Sequence, residues 1–313
     1  MSYIVESMNS ETGKSLQPNF FIIGAPKSGT TALFDYLSRH PQVYCPSQKE
    51  FHHFCDDFFK THYSDAEYVR QFDGIGAGHK ASGDGSVLYL YSEAALPRIR
   101  EFNPAAKIIV MLRNPVDLVY SWHSQLLHNL NENETDFDTA WSLCESRALG
   151  QNIPSDCDEP FALRYDEIGR LGKYLERVYQ VFPPEQVLVL FLDDMKDDVS
   201  ALYSRTLDFL DLDPFELPEY KVVNPNSAIR SKWLMRLQKM QPKGAARRFV
   251  SMFKRVFGLK HVSIKHLVHK LNSKDVDRVA MSPARKAELT AYFAEDIRLL
   301  EKLTGRDLSG WLE

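Results

Sequence analysis

The stretch PNFFIIGAPKSGTT, Pro18–Thr31, sets the architecture of this chain. Its apolar run Phe20–Ile23 predicts a buried strand, Gly24–Gly29 predicts a tight turn, and the sequence from Thr30 onward predicts a helix. A strand, a glycine-containing loop and a helix in this order leave free backbone N–H groups at the helix start, where the helix dipole also favours negative charge. The stretch therefore predicts an anion-binding loop in an α/β protein.

The side chains of this loop suit a phosphate. A glycine lets the backbone approach an anion closely, a lysine adds positive charge, and hydroxyls add donors. The candidate anion ligands are consecutive: Lys27, Ser28, Gly29, Thr30 and Thr31. Gly24 and Gly29 have the spacing of the triphosphate loop G-x-x-x-x-G-K-[ST], but Thr30 follows Gly29 and the lysine lies inside the loop. An ordinary strand-to-helix turn with a chance lysine is the alternative.

Length and composition indicate one large domain. The 313 residues are 44% hydrophobic and 26% charged, which is typical of a soluble globular protein with a sizeable core. The cysteines lack C-x-x-C spacing and disulfide density, which indicates a reducing compartment and argues against a zinc ribbon. They are Cys45, Cys55, Cys144 and Cys157. Since no internal repeat is evident, we expect residues 19–313 to form a single domain.

The N-terminal residues 1–18 are polar, and we expect them to be disordered. No apolar run precedes Phe20, and no apolar stretch elsewhere is long enough to span a bilayer. The sequence therefore predicts neither a signal peptide nor a membrane anchor, and we expect a cytoplasmic location.

Basic residues are concentrated in one segment. Residues 221–274 hold fourteen of the 38 Lys and Arg and none of the 42 Asp and Glu, although the net charge of the chain is −4. Part of this segment shows helical spacing, with Phe249 and Phe253 on an apolar face. A helix packed on the domain with a solvated basic side is the favoured interpretation. Peripheral membrane contact through residues 243–274, or a clamp for an acidic acceptor, is the alternative.

A carboxylate and two histidines lie close together in the stretch Lys49–Phe54, KEFHHF. Glu50, His52 and His53 could bind a metal, although they lack the i, i+4 histidine pair of helical zinc sites. Glu50 or a histidine could instead act as a general base. The third possibility is a surface turn with aromatic residues packed beneath it. The residues alone leave these possibilities open.

A second strand ends in a residue that suits phosphate. Lys107–Leu112 predicts a buried parallel strand, and Arg113 follows it at the sheet edge where open α/β sheets bind ligands. Pro115 begins the next helix, and Ser121, two turns along it, can face the same way. An arginine fork and a hydroxyl bind phosphate well. A capping arginine and an ordinary helix serine are the alternative.

Taken together, these stretches resemble sulfotransferases that use 3′-phosphoadenosine 5′-phosphosulfate (PAPS), of the heparan-sulfate and bacterial types. PKSGTT resembles their 5′-phosphosulfate loop, and Arg113 to Ser121 resembles their 3′-phosphate motif R-N-P-x-[DE]-R-x-x-S, except at Leu118. The resemblance extends from about Asn19 to the C-terminus. It implies that PAPS is bound by Lys27, Ser28, Gly29, Thr30, Thr31, Arg113, Ser121 and, in a late nucleotide loop, Arg230.

The resemblance also implies a catalytic centre. The family carries K-E-x-H-F-F after the phosphate-loop helix, and Lys49–Phe54 matches it. The implied base is Glu50, with His52 beside it in the acceptor pocket, and Lys27 would stabilise the leaving group. His53 stands where the family usually has Phe, so we interpret it as structural.

The glycine-rich stretch Gly74–Gly85 lacks the spacing of a dinucleotide loop, and we predict a flexible loop. It resembles the family's acceptor-facing element G-E-K-S-P-x-Y. Gly85 stands where that element has lysine, and Val87 stands where it has proline. The missing lysine weakens the case for a heparan-type polyanion as acceptor.

The sequence thus predicts a P-loop-like, three-layer α/β fold with a central, mostly parallel sheet. By resemblance, the activity is sulfuryl transfer from PAPS, giving 3′-phosphoadenosine 5′-phosphate (PAP), to a hydroxyl or amine of a small-molecule, glycan or lipid acceptor. No metal and no nucleic-acid partner are expected. A P-loop kinase with a displaced lysine and a non-catalytic nucleotide-binding scaffold are the alternatives. The acceptor and the oligomeric state stay open.

Overall fold

Five parallel strands form the central sheet in the computed structural model. In chain order they are β1 (Phe20–Gly24), β2 (Val43–Tyr44), β3 (Ala81–Gly85), β4 (Lys107–Leu112) and β5 (Val187–Phe191). Their order in the sheet is β2-β3-β1-β4-β5, and every pairing is parallel. Because β3 and β4 lie on opposite sides of β1, the strand order reverses at β1. Ligands bind at such points in open α/β sheets.

Helices cover both faces of the sheet. In chain order they are α1 (Thr30–Ser38), α2 (Asp65–Val69), α3 (Ala95–Phe102), α4 (Pro115–His128), α5 (Phe137–Ser142), α6 (Cys144–Ala148), α7 (Tyr165–Ile168), α8 (Leu171–Val181), α9 (Leu192–Asp197), α10 (Val199–Phe209) and α11 (Pro283–Thr304). Single 3₁₀ turns lie at Arg70–Phe72, Val87–Leu90, Pro160–Leu163, Pro184–Gln186 and Ser309–Trp311.

Alternating side chains along the strands explain the three layers, since successive residues of a strand point to opposite faces. One face packs against α1 and α10 through Phe20, Ile22, Ile109, Met111, Leu188 and Leu190. The other packs against α3, α4, α8 and α11 through Phe21, Ile23, Ile108, Val110, Leu112, Val187 and Val189. The predicted three-layer α/β fold is therefore confirmed.

The prediction of a flexible loop over Gly74–Gly85 is wrong at its C-terminal end. Ala81–Gly85 forms strand β3, which is buried throughout and pairs directly with β1. Gly83 lies opposite Phe20, and a Cβ added at Gly83 would lie 2.1 Å from Cζ of that ring. The strand has few apolar side chains of its own because the aromatic ring of its neighbour fills the space.

The chain between Tyr165 and Val181 is divided into two helices, α7 and α8. Gly169 lies in the break, where an added Cβ would approach the ring of Phe293 to 2.3 Å. The break therefore allows α11 to pack closely against this part of the chain.

We expect Gly83→Ala to lower the free energy of unfolding by about 1–3 kcal/mol, because an extra methyl in a packed core forces its neighbours to shift. Denaturant titration of both variants measures the effect. Gly78→Ala is the matched control, since an added Cβ there has no atom within 4 Å. Equal stability of the two variants would contradict the packing described for β3.

The structure describes residues 17–59, 63–220 and 280–313, and the backbone of a short antiparallel pair, β6 (Ser227–Ile229) with β7 (Ser273–Asp275). The predictions for residues 1–16, for Arg230 and for the basic helix within 243–274 fall outside these residues. Among the described helices, none has the length and apolar character needed to cross a bilayer.

Candidate active site

The loop between β1 and α1 lies at the carboxyl edge of the sheet, as the sequence predicts. The Ala25 amide donates to the Met111 carbonyl of β4 at 2.6 Å, which fixes the start of the loop. Lys27 and Gly29 both have positive φ, 58° and 88°. Gly29 is the N-cap of α1, and no side chain caps the N–H groups at the helix start, an arrangement that suits the predicted anion.

The predicted anion ligands differ in their present contacts. The Lys27 ammonium donates to Oε1 of Gln125, on α4, at 3.1 Å. The Ser28 hydroxyl is buried and donates to the Pro26 carbonyl at 3.3 Å, so it braces the loop. Thr30 is buried at the first position of α1, and Thr31 is partly exposed beside it.

Arg113 reaches this loop from the end of β4. Its Nη1 donates to the Lys27 carbonyl at 3.2 Å, and its Nη2 lies 3.5 Å from the carboxylate of Asp117. Its Nε is buried and has no hydrogen-bond partner among the described residues. The structure therefore brings Arg113 and the loop together. Ser121 is buried further along α4.

The segment that carries Glu50 has an unusual backbone. Glu50 and His52 have φ values of 65° and 51°, in the left-handed region that side chains with a Cβ rarely adopt. Two hydrogen bonds from the end of β3 hold them there. The Glu50 amide donates to the Gly85 carbonyl at 3.1 Å, and the His52 amide donates to the Ser86 hydroxyl at 3.2 Å. Strained backbone held in this way is a feature of functional sites.

The side chains of Lys49 and His52 face the Glu50 carboxylate. Lys49 Nζ lies 3.4 Å from Oε1, and His52 Nε2 lies 3.5 Å from Oε2. Burial opposes ionisation of Glu50, but the hydrogen bond from His52 and the charge of Lys49 outweigh it and lower the pKa of Glu50 to about 2. Glu50 is therefore an ionised carboxylate at neutral pH, with His52 beside it as expected.

Lys49 lies between this carboxylate and the start of α1, which follows the predicted anion-binding loop Gly24–Gly29, called the anion loop below. Its ammonium lies 3.2 Å from the Thr31 hydroxyl and 3.5 Å from the Thr30 hydroxyl. Sequence reasoning placed Lys49 in a motif without giving it a role, and it missed Gln125 entirely. The position of Lys49 next to the candidate base could have identified it as a site residue. No feature of the sequence identified Gln125.

A buried carboxyl supports the segment from beneath. Asp84, in β3, accepts hydrogen bonds from the hydroxyls of Tyr68, Tyr89 and Ser86 at 2.8–2.9 Å. Burial raises the pKa of Asp84, and these hydrogen bonds offset part of that effect. Since Ser86 also accepts from the His52 amide, Asp84 fixes the position of His52 through one intervening hydroxyl.

Two further histidines, His53 and His123, are buried. His53 contacts the carboxylate of Asp65 at 3.0 Å and stacks on Tyr68 with ring centroids 4.2 Å apart. Nε2 of His123 lies 2.8 Å from the Glu134 carbonyl oxygen, and burial lowers the pKa of His123.

The acidic pair after β5 is engaged in ion pairs. Asp194 accepts from Arg306 at 2.5 and 2.6 Å, and Asp193 accepts from Lys196 at 2.8 Å. The pair thus anchors the C-terminal segment and the first turns after β5.

Comparisons with known proteins agree with this geometry. The sequence model of the sulfotransferase domain family matches residues 17–295 of this chain. The chain is 28% identical over 209 residues to human bifunctional heparan sulfate N-deacetylase/N-sulfotransferase 3, an alignment that covers 65% of this chain and 23% of that protein. It is 26% identical over 272 residues to mouse carbohydrate sulfotransferase 15, covering 69% of this chain and 47% of that protein. The chain thus spans less than half the length of these relatives.

A solved structure extends the likeness to nearly the whole chain. The crystal structure of a sulfotransferase from Alicyclobacillus acidocaldarius superimposes on this chain with a TM-score of 0.70, and the two sequences are 28% identical. The alignment covers 95% of this chain and 99% of that one. The family predicted from the anion loop and the arginine motif is confirmed, and this chain belongs to the sulfotransferase domain family.

Proposed function

We propose that this protein transfers a sulfuryl group from PAPS to an acceptor hydroxyl or amine, with Glu50 as the base. One observation carries the proposal. The Lys49 ammonium lies 3.2 Å from the Thr31 hydroxyl and 3.4 Å from the Glu50 carboxylate, so a carboxylate lies one side chain away from an anion loop. A group-transfer enzyme needs this proximity between its donor site and its base.

The residues of the site suit the two phosphates of PAPS. The start of α1, with Lys27, Thr30 and Thr31, offers backbone N–H groups, one positive charge and two hydroxyls for the 5′-phosphosulfate. Arg113 has a buried Nε without a partner among the described residues, and it would bind the 3′-phosphate. Ser121 and Arg230 stay predicted ligands of that phosphate.

The chemistry follows from these placements. Glu50 accepts the proton of the acceptor group while the acceptor atom forms its bond to sulfur and the bond from sulfur to the 5′-phosphate oxygen breaks. Lys27 and the loop N–H groups stabilise the negative charge that develops on that leaving oxygen. His52 hydrogen bonds to Glu50 and orients it. PAP leaves with the electron pair of the broken bond.

We propose several classes of acceptor rather than one compound. The curated relatives carry heparan sulfate and carbohydrate in their names, which supports a glycan among the possible acceptors. A lipid or another small molecule with a hydroxyl or amine would also suit the chemistry. A cytoplasmic location and membrane contact through residues 243–274 stay proposals.

Calorimetric titration of the wild-type protein with PAP, and in parallel with ATP and magnesium, tests the donor assignment. We expect PAP to bind with micromolar affinity and ATP–magnesium to bind more weakly. Transfer from sulfur-labelled PAPS to a panel of glycans, lipids and small alcohols then tests the activity. A preference for ATP–magnesium would overturn the proposal and favour a kinase. PAP binding without transfer to any acceptor would favour a scaffold.

Replacement of His52 should change the pH dependence of the reaction. The hydrogen bond from His52 helps to hold the pKa of Glu50 at about 2, below its usual value of 4.5, so wild-type Glu50 stays ionised throughout the usual assay range. His52→Ala removes this hydrogen bond, so Lys49 alone opposes the effect of burial, and the pKa of Glu50 should rise. We therefore expect the acid limb of kcat/KM to move to higher pH, since kcat/KM reports groups of the free enzyme.

The matched control is His79→Ala, because the imidazole of His79 accepts from the Gly76 amide and contacts Tyr44 rather than Glu50. Its profile should match the wild type. An acid limb that stays in place in His52→Ala would mean that His52 does not set the ionisation of the base.

A further inference from the structure

We propose that Lys49 is a second lysine of the donor site, which binds the 5′-phosphate of the nucleotide together with the start of α1, and that Gly85 is the residue that admits it. The proposal rests on the proposed function, because it assigns a further ligand to that donor site. It goes beyond the anion loop itself, which contains only Lys27.

The first argument concerns the position of the Lys49 ammonium. Lys49 reaches the first turn of α1, where its Nζ lies 3.2 Å from the Thr31 hydroxyl and 3.5 Å from the Thr30 hydroxyl. Its side chain is only 16% exposed, so the charge is held at this place instead of extending into solvent. A cation beside two hydroxyls at a helix start forms a binding surface for a phosphate.

The second argument concerns the space that the Lys49 side chain occupies beside Gly85. An added Cβ at Gly85 would lie 2.9 Å from Cε of Lys49 and 3.0 Å from Cδ2 of Phe34. The lysine stem therefore occupies the space that any side chain at position 85 would need. Gly85 has no positive φ that would require glycine. Its lack of a side chain is thus explained by the passage of Lys49 to the anion loop.

The third argument concerns the positive charges near the anion loop and the groups that they contact. The Lys27 ammonium donates to Gln125, and the Arg113 guanidinium contacts the Lys27 carbonyl and Asp117. Lys49 shares its charge with Glu50, whose carboxylate lies 3.4 Å from Nζ. A phosphate bound at the start of α1 would compete with Glu50 for this charge, so Glu50 would become more basic when the donor is in place.

The test compares two nucleotides: PAP, and adenosine 3′-phosphate, which lacks the 5′-phosphate. Calorimetry measures PAP binding, and displacement of PAP measures binding of the monophosphate. We expect Lys49→Met to weaken PAP binding about ten- to a hundredfold, the range for a hydrogen bond to a charged group, and to leave adenosine 3′-phosphate unchanged. Lys80→Met is the matched control, because Lys80 pairs with Asp213 on the surface and should leave both affinities unchanged.

Gly85→Ala provides a second, independent variant. The added methyl should displace Lys49 and weaken PAP binding in the wild-type background, yet add no further loss in Lys49→Met, where no charge remains to be displaced. Equal losses in both backgrounds would mean that the methyl acts through Phe34, and the role assigned to Gly85 would be wrong. Circular dichroism shows whether each variant keeps its fold.

The outcomes separate this proposal from the proposed function. If the wild type fails to bind PAP, the donor assignment itself fails. If the wild type binds PAP and Lys49→Met binds it equally well, Lys49 serves only to pair with Glu50 and the inference is overturned. A loss of both nucleotides in Lys49→Met would also overturn it, because the effect would then not depend on the 5′-phosphate.

Discussion

Glu50→Gln should lower kcat by about 10²–10⁴-fold, the usual contribution of a general base, and leave PAP binding unchanged or slightly tighter. Glutamine has nearly the same shape, its oxygen can accept from Lys49, and its amide can donate to Nε2 of a neutral His52, so the strained segment should keep its conformation. The substitution removes the negative charge that now faces Lys49 at 3.4 Å, and this frees the lysine for a phosphate. Initial rates with sulfur-labelled PAPS and calorimetry with PAP measure the two effects.

The control for this variant is Glu101→Gln, an exposed carboxylate on α3, which should keep full activity. If Glu50→Gln retained wild-type turnover, Glu50 would not be the base and His52 would be the next candidate. His123 is a weaker one, because it is buried and its Nε2 lies 2.8 Å from the Glu134 carbonyl oxygen.

The strands and loops with a strong local signal could be predicted from the sequence. The apolar runs Phe20–Ile23 and Lys107–Leu112, each followed by a glycine or proline turn, indicate buried strands that end at a functional edge. The anion loop and Arg113 were accordingly expected at the edge where the structure brings them together. Local residue types are sufficient here because the strand, its turn and the following helix are continuous in sequence.

Strand β3 could not be predicted in this way, because its burial depends on partners distant in sequence. Its residues ASGDG lack the apolar alternation of a strand. The ring of Phe20 fills the space beside Gly83, and three hydroxyls satisfy the carboxyl of Asp84. A buried carboxyl with that many partners is tolerated in a core, whereas an isolated one would be costly.

The same reasoning explains why Lys49 and Gln125 were missed as site residues. Gln125 meets Lys27 across 98 positions of the chain, and Lys49 meets Thr31 across 18. A contact with a distant part of the chain cannot be predicted from neighbouring residue types, and the only local indication for Lys49 was its position next to the candidate base. Glu50 and His52 were identified through the family resemblance, since their residue types alone left three possibilities open.

Arg113→Ala should weaken PAP binding on the order of a hundredfold or more, because a guanidinium can give two charge-assisted hydrogen bonds to one phosphate. Arg113→Lys keeps the charge but loses the fork, so we expect an intermediate loss. Arg100→Ala is the control, since Arg100 donates to the Val181 carbonyl instead. Calorimetry measures binding, and thermal unfolding shows whether losing the contact to the Lys27 carbonyl disturbs the loop. Wild-type affinity in Arg113→Ala would mean that Arg113 only ties the loop to α4, and the 3′-phosphate would then have to be bound elsewhere.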